Sequence, residues 1–430
     1  MLQDSTSQKQ QPSLSINDLE EAVTDYYGPE IWKAVKAGLG VICSLALTGR
    51  VQPLSLIYEG PSGRGKSTCI NLFEPNREAT KKLFYRLDTF TPKAFVSHAA
   101  NVSKEDIGTI DLLPKLNNKV LLVKELAPQF RGTDADLRER FAILTAVLDG
   151  KGHLSASGVH GTRGYEGEYV FNWLGATTPI PTKTDQVMAQ LGNRLLRYEF
   201  LGEQPTEEEL LAFLEGSSHA EQERQLRTLM NQFLENFFRD TPVSSVNAEN
   251  ITMEQELKLE LIRLASLLSQ ARVEIITHES NDSSELELEA GAAEGPFRIV
   301  LLLKQLAQGL ALAFGRREVQ RSDMQTLRHI AISSIPVNRR RVLKALIANG
   351  NSVDSGGLEK ALRLSRPTVR KYMQELAATG IVNFQKGTGQ QPDSISFADV
   401  WKWLEVPMVN RAEGEGANED SSDSEPVAAA

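Results

Sequence analysis

The stretch "YEGPSGRGKSTCINLF", Tyr58 to Phe73, constrains this chain more than any other. Gly60-Pro61-Ser62-Gly63-Arg64-Gly65-Lys66-Ser67 fits G-x-x-x-x-G-K-[ST] without a mismatch. The apolar run "LSLIYEG" leads into it and the helical pattern "KSTCINLFE" leaves it, so the order is buried parallel strand, loop, helix. Glycines let such a backbone bend until successive N–H groups and a helix N-terminus face one point, which suits phosphate oxygens. The pattern makes Gly60 through Thr68 an ATP-binding loop, with Lys66 on the β- and γ-phosphates and the Ser67 hydroxyl on Mg²⁺.

A loop of this kind sits in a layered α/β domain, and later apolar runs supply further strands. "KLFYRLD", "KVLLVKE" and "EYVFNWLGA" are separated by segments long enough for helices, giving a mostly parallel sheet over residues 28–202. The preceding residues 1–27 read as a flexible, Gln/Ser-rich segment and lead-in. Residues 203–335 read as helical, with the acidic "HESNDSSELELEAGAAEG" as a loop. A basic unit covers 336–406, and 407–430 form a disordered acidic tail. At 430 residues, about two to four compact units are expected. The N-terminus lacks the apolar core of a secretion signal, and no run of about eighteen apolar residues occurs, so a cytoplasmic protein without a membrane partner is expected. Cys43 and Cys69 cannot build a disulfide framework or a four-ligand zinc site and read as core residues.

Hydrolysis needs an acid at the end of a neighbouring strand. "NNKVLLVKEL" offers Glu125, either as catalytic base or as an acid of the magnesium shell, with Lys124 where an aspartate is common. Asp88 and Asp111 are weaker candidates. "FNWLGATTPI" ends a strand in Thr177 and Thr178, placed to touch the γ-phosphate or the attacking water. "LGNRLLRYEF" brings Arg194 and Arg197 to the domain edge, where one reaches a neighbouring subunit's nucleotide and stabilises transition-state charge. Arg298 lies at the start of a helix opened by Pro296.

This order over residues 28–335 resembles the AAA+ ATPases: phosphate loop, acid strand, threonine sensor, arginine finger and a helical lid with a second arginine sensor. "LGATTP" with "GNRLLRYEF" is similar to the sensor and finger segments of bacterial branch-migration motors. The insertion "LDGKGHLSASGVHGTRGYEGEYVF" resembles the hairpin of minichromosome-maintenance helicases and of helicase-like ATPases of phages and mobile elements. The resemblance implies Glu125 as the acid, Thr178 as first sensor, Arg194 as finger and Arg298 as second sensor. It further implies a homo-oligomer, expected as a hexameric ring because the finger serves a neighbour.

The insertion itself is glycine-rich, with Lys151 and Arg163 between the glycines. It reads either as a protruding β-hairpin that grips DNA phosphates or as a solvated hairpin at a subunit boundary. From Val337 to Gln390, ten Lys/Arg face Asp354, Glu359 and Glu375, a net +7 in a chain of net −9. The rhythm there resembles a winged helix-turn-helix, with Arg366, Thr368, Arg370 and Lys371 on the recognition helix and Lys386 in the wing. DNA contact is the preferred reading over protein contact. The expected function is an ATP-driven DNA motor, with other replication, recombination or defence proteins as possible partners. The alternatives are an ATP-controlled winged-helix regulator and a loader or adaptor for another DNA enzyme.

Overall fold

The computed structural model describes residues 14–99, 102–103, 106–158, 161–200, 206–207, 211, 214, 219–279, 286–388 and 390–405. Residues 1–13 and the tail expected at 407–430 lie outside them. The chain divides into two compact units, one ending at Arg340 and one beginning at Arg341.

The first unit is an α/β structure built on five parallel strands: β1 (Leu54–Glu59), β2 (Phe84–Leu87), β3 (Val120–Val123), β6 (Asn172–Thr177) and β7 (Leu195–Glu199). Between β3 and β6 comes an antiparallel hairpin, β4 (Gly152–Ser157) and β5 (Gly161–Glu166). The sheet order is β2-β3-β6-β1-β7, which sets β1 between β6 and β7. Strands β1, β3 and β6 are buried along their whole length, as expected of a parallel sheet covered on both faces. One core cluster joins Ile57, Leu121, Val123 and Trp173 of the sheet to Phe90, Phe95, Phe130, Phe141 and Leu144 beneath it.

Two segments differ from the sequence expectation. Ile16–Tyr27 is a helix, started by Ser15 and Asp18 in a reciprocal cap with hydrogen bonds of 2.8 and 3.2 Å. The acidic segment expected as a loop contains a hairpin, β8 (Ile275–Glu279) with β9 (Leu286–Ala290). The helical part otherwise appears as expected, in helices Gln255–Ala271, Phe297–Ala313 and Arg321–Ser333 and the long His219–Asp240.

In the second unit, helices Ser355–Leu362 and Arg366–Ala378 join the continuation of the Val337–Ala348 helix. They accompany a sheet of β10 (Ser352–Asp354), β11 (Val382–Gln385) and β12 (Ser394–Phe397) in the order β10-β12-β11. Val342, Leu346, Leu358, Val369, Met373, Leu376, Ile395 and Phe397 are among its buried residues. Asp354 caps the Ser355–Leu362 helix through Gly357 N–H at 2.7 Å, and Arg363, at φ 53°, ends it.

Candidate functional site

The loop Gly60–Thr68 leaves the C-terminal end of β1, where open parallel sheets bind their ligands. Its conformation explains its composition. Gly65 has φ 86° and immediately precedes the Lys66–Leu72 helix, and a Cβ there would stand 2.2 Å from Ile31 Cδ1. Any side chain at 65 is therefore both strained and obstructed. Gly60 N–H donates to Thr177 O at 3.3 Å, tying the loop to the end of β6. Pro61, Ser62, Gly63 and Ser67 are exposed, and Arg64 and Thr68 are half-buried.

Lys66 is buried, and its ammonium donates to Pro61 O at 2.5 Å. Burial lowers its pKa, and the Glu125 carboxylate acts in the opposite sense, which places the two charges within each other's field. Glu125 is exposed just beyond β3, its Oε1 accepting from Ala127 N–H at 2.7 Å. Lys124 turns to Glu74 at 3.4 Å, a carboxylate that also receives Arg86 at 2.5 Å and Arg227 at 3.2 Å. Thr177 is the last residue of β6, and its buried hydroxyl has no hydrogen-bond partner among the described residues. Thr178 follows it half-buried. Three strands thus deliver Lys66, Ser67, Glu125, Thr177 and Thr178 to one edge.

A hydroxyl, a carboxylate and an ammonium meeting at a phosphate loop suit a nucleotide with Mg²⁺, an ion that keeps water and phosphate ligands and takes few from protein. Were such an ion bound, Ser67 would hold it, with Glu125 either in its shell or acting on the attacking water. Among the described residues no cluster of three or more His, Cys, Asp or Glu forms a separate metal site. Of the weaker acid candidates, Asp88 is exposed and pairs with Arg86 at 2.9 Å. Asp111 is fully buried at the foot of the β4–β5 hairpin and is removed from consideration.

Arg194 and Arg298 lie at the opposite edge. Arg194 directly precedes β7, and Gln52, two residues ahead of β1, donates to Arg298 O at 3.2 Å. β1 is six residues long, so it separates the two edges by roughly 20 Å. Arg298 is therefore not a sensor for its own chain's loop, and that expectation is corrected. Instead it neighbours Arg194: a Cβ on Gly192 (φ 83°) would fall 2.1 Å from Arg194 Nη1 and 3.6 Å from Arg298 Nη1. Arg194 donates to Asp149 at 3.1 and 3.4 Å, to Gly192 O at 2.6 Å and to Leu191 O at 3.2 Å. Arg298 pairs with Glu294 at 3.3 Å. Arg197, the other finger candidate, is fully buried against Asp185 and cannot touch another chain.

Beneath the loop lies a feature the sequence did not announce. Glu59, 1% exposed and next to Gly60, accepts from Ile180 N–H at 2.9 Å and from Arg340 Nη1 at 3.1 Å, with Arg197 Nη1 at 3.8 Å. Arg340 also reaches Glu199 at 2.9 Å. Burial by itself would raise the Glu59 carboxyl, but Arg197, Arg340 and the Ile180 N–H outweigh it and hold it below its ordinary value.

The expected DNA contacts divide. Arg163 points inward: it pairs with Asp111 at 2.9 Å and donates to Ser97 O, while Tyr165 donates to Asp111 at 2.8 Å. It anchors the hairpin, and its assignment to DNA is corrected. Lys151 is exposed beside the hairpin. In the second unit Arg366, Lys371 and Lys386 are exposed. Thr368 shares a hydrogen bond with Ser365 at 2.9 Å, and Arg370 is half-buried on Asp393 at 3.2 Å, so both hold the local fold first.

No protein-family model matches the sequence, and no curated protein matches it. No described helix is long and apolar enough to cross a membrane.

Proposed function

We propose that this chain is an AAA+ ATPase that binds DNA through a C-terminal winged helix and uses ATP to unwind or remodel it, as a homo-oligomeric ring. The setting would be replication or recombination of a phage or mobile element. One observation carries the reading: the phosphate loop, Glu125 and the threonine pair gather at one edge of the parallel sheet, while Arg194 and Arg298 stand side by side at the other. Placed this far from its own loop, Arg194 reaches a nucleotide only on another copy, which calls for head-to-tail association and, on closure, a ring. The strand order supports the same reading, because β6 with its threonines lies between the acid strand and the loop strand.

In this mechanism Lys66 neutralises the β- and γ-phosphates while the loop N–H groups fix them. Mg²⁺ supplies further charge neutralisation there. Glu125 takes the proton of the attacking water, and Thr177 or Thr178 fixes that water's position. Arg194 of the adjacent copy exchanges Asp149 for the developing phosphoryl charge. The helices and three-stranded sheet of the second unit suit a winged helix, with Arg366, Lys371 and Lys386 on DNA phosphates.

The test is steady-state ATP hydrolysis without DNA, with single-stranded DNA and with duplex DNA at low salt, comparing wild type with Glu125→Gln. DNA-stimulated turnover lost in the variant supports the motor. Negligible turnover under every condition overturns it. The inward position of Arg163 favours a second reading, an ATP-controlled regulator in which DNA is held by the winged helix alone. Site-specific DNA affinity that differs between ATP and ADP, without strand displacement, would support it.

A further inference from the structure

The segment between Glu125 and the helix Asp134–Val147 has no role in the reading above, yet it is fixed at almost every residue. Leu126 N–H donates to Ala176 O at 2.8 Å, joining the segment to the sensor strand. Gln129 and Phe130 are buried; Gln129 Nε2 donates to Phe90 O, and Thr184 Oγ1 donates to Phe130 O at 2.7 Å. Arg140 Nη1 donates to Pro128 O at 2.8 Å and to Arg131 O at 2.6 Å. What this bracing presents to solvent is the side chain of Arg131. Its Nη2 stands 3.5 Å from Thr178 Oγ1, and no carboxylate pairs with it among the described residues.

An unneutralised guanidinium on a rigid backbone, beside a threonine at the edge of a phosphate loop, matches what a terminal phosphoryl group requires. The position also fills a gap. With Arg298 at the far edge, Lys66 and the half-buried Arg64 are the cations that the loop itself carries. We infer that Arg131 is a catalytic residue for its own chain's nucleotide, binding γ-phosphate oxygens opposite Lys66 and losing its target when ATP becomes ADP. The inference rests on the ATPase reading and adds to it a residue that separates triphosphate from diphosphate within one chain.

The test measures ATP and ADP affinity by titration calorimetry with Mg²⁺ for wild type, Arg131→Gln, Arg131→Lys and Lys66→Ala. Arg131 is exposed, so the variants should melt with the wild type. Arg131→Gln is expected to lose ATP affinity roughly tenfold or more, the scale of one charge-assisted hydrogen bond, with ADP affinity unchanged. Its turnover should fall on the order of a hundredfold. Arg131→Lys should recover part of both, because it restores charge without the planar fork. An unchanged ATP-to-ADP ratio and unchanged turnover in Arg131→Gln overturn the inference while leaving the ATPase reading in place. Absence of nucleotide binding by the wild type overturns both. Recovered turnover on mixing Arg131→Gln with Lys66→Ala chains would assign the guanidinium to a neighbour's nucleotide and overturn the own-chain role.

Discussion

The two edges of the parallel sheet handle charge in opposite ways. At the C-terminal edge the loop rests on backbone geometry, a left-handed glycine set directly ahead of a helix N-terminus, while Glu125, Ser67 and Arg131 stay exposed. At the N-terminal edge the side chains satisfy one another, Arg194 with Asp149 and Arg298 with Glu294. At the first edge Ser67 and Arg131 stand open to solvent, whereas at the second each arginine would have to leave its carboxylate before acting elsewhere; under the proposed ATPase reading the first edge binds and the second donates.

Substitutions at the two edges should accordingly fail differently. Lys66→Ala should abolish nucleotide binding, read by calorimetry, because the loop loses its buried ammonium. Arg194→Ala should leave binding intact and lower turnover on the order of a thousandfold, the scale of a trans-acting arginine; unchanged turnover would remove Arg194 from the mechanism and erase the distinction between the edges. Glu59→Gln should cost about 1–3 kcal/mol in a denaturant titration, since Arg197 and Arg340 lose their shared acid while keeping Asp185 and Glu199. The Glu59 carboxyl is depressed in the fold, so its contribution is fully present above the ordinary carboxylate range and disappears as pH falls through the lowered folded value. A pH titration of stability should therefore lose the Glu59 share of its acid-side slope in the variant. Arg366→Ala or Lys371→Ala should each weaken DNA binding and reduce the salt slope by about 1, whereas Arg163→Ala should loosen the hairpin without changing that slope. Lys151→Ala is expected to give the smallest effect, at most one phosphate contact's worth.

What the sequence disclosed follows the same division. The loop was legible because its residue types are dictated locally: φ 86° at position 65 admits little but glycine, and the strand before it is a plain apolar run. Glu125 and the threonines were legible as strand ends. Arg163, Arg194 and Arg298 were misjudged or half-judged because their partners or neighbours are far away in the chain. Asp111 is 52 residues from Arg163, and Asp149 is 45 from Arg194. Such pairs leave no periodic trace. Two misses did carry a signal. The Ser15-x-x-Asp18 pattern marks a helix start, and the strict alternation in "LELEA" marks a strand that the acidic composition obscured. Arg131 had none, since its meaning lies in the bracing of the loop that carries it.

The acid immediately ahead of the phosphate loop has a consequence for inheritance. Glu59 and Arg340 are 281 residues apart, yet one carboxylate serves the loop strand, the Ile180 turn and the first turn of the Val337–Ala348 helix. Loss of Glu59 leaves Arg197 with Asp185 and Arg340 with Glu199, each buried guanidinium short of one carboxylate, so single changes there should be selected against. In any set of relatives, positions 59, 197 and 340 are expected to change together or stay as they are, a covariation tying the strand ahead of the glycine loop to the last residue of the first compact unit.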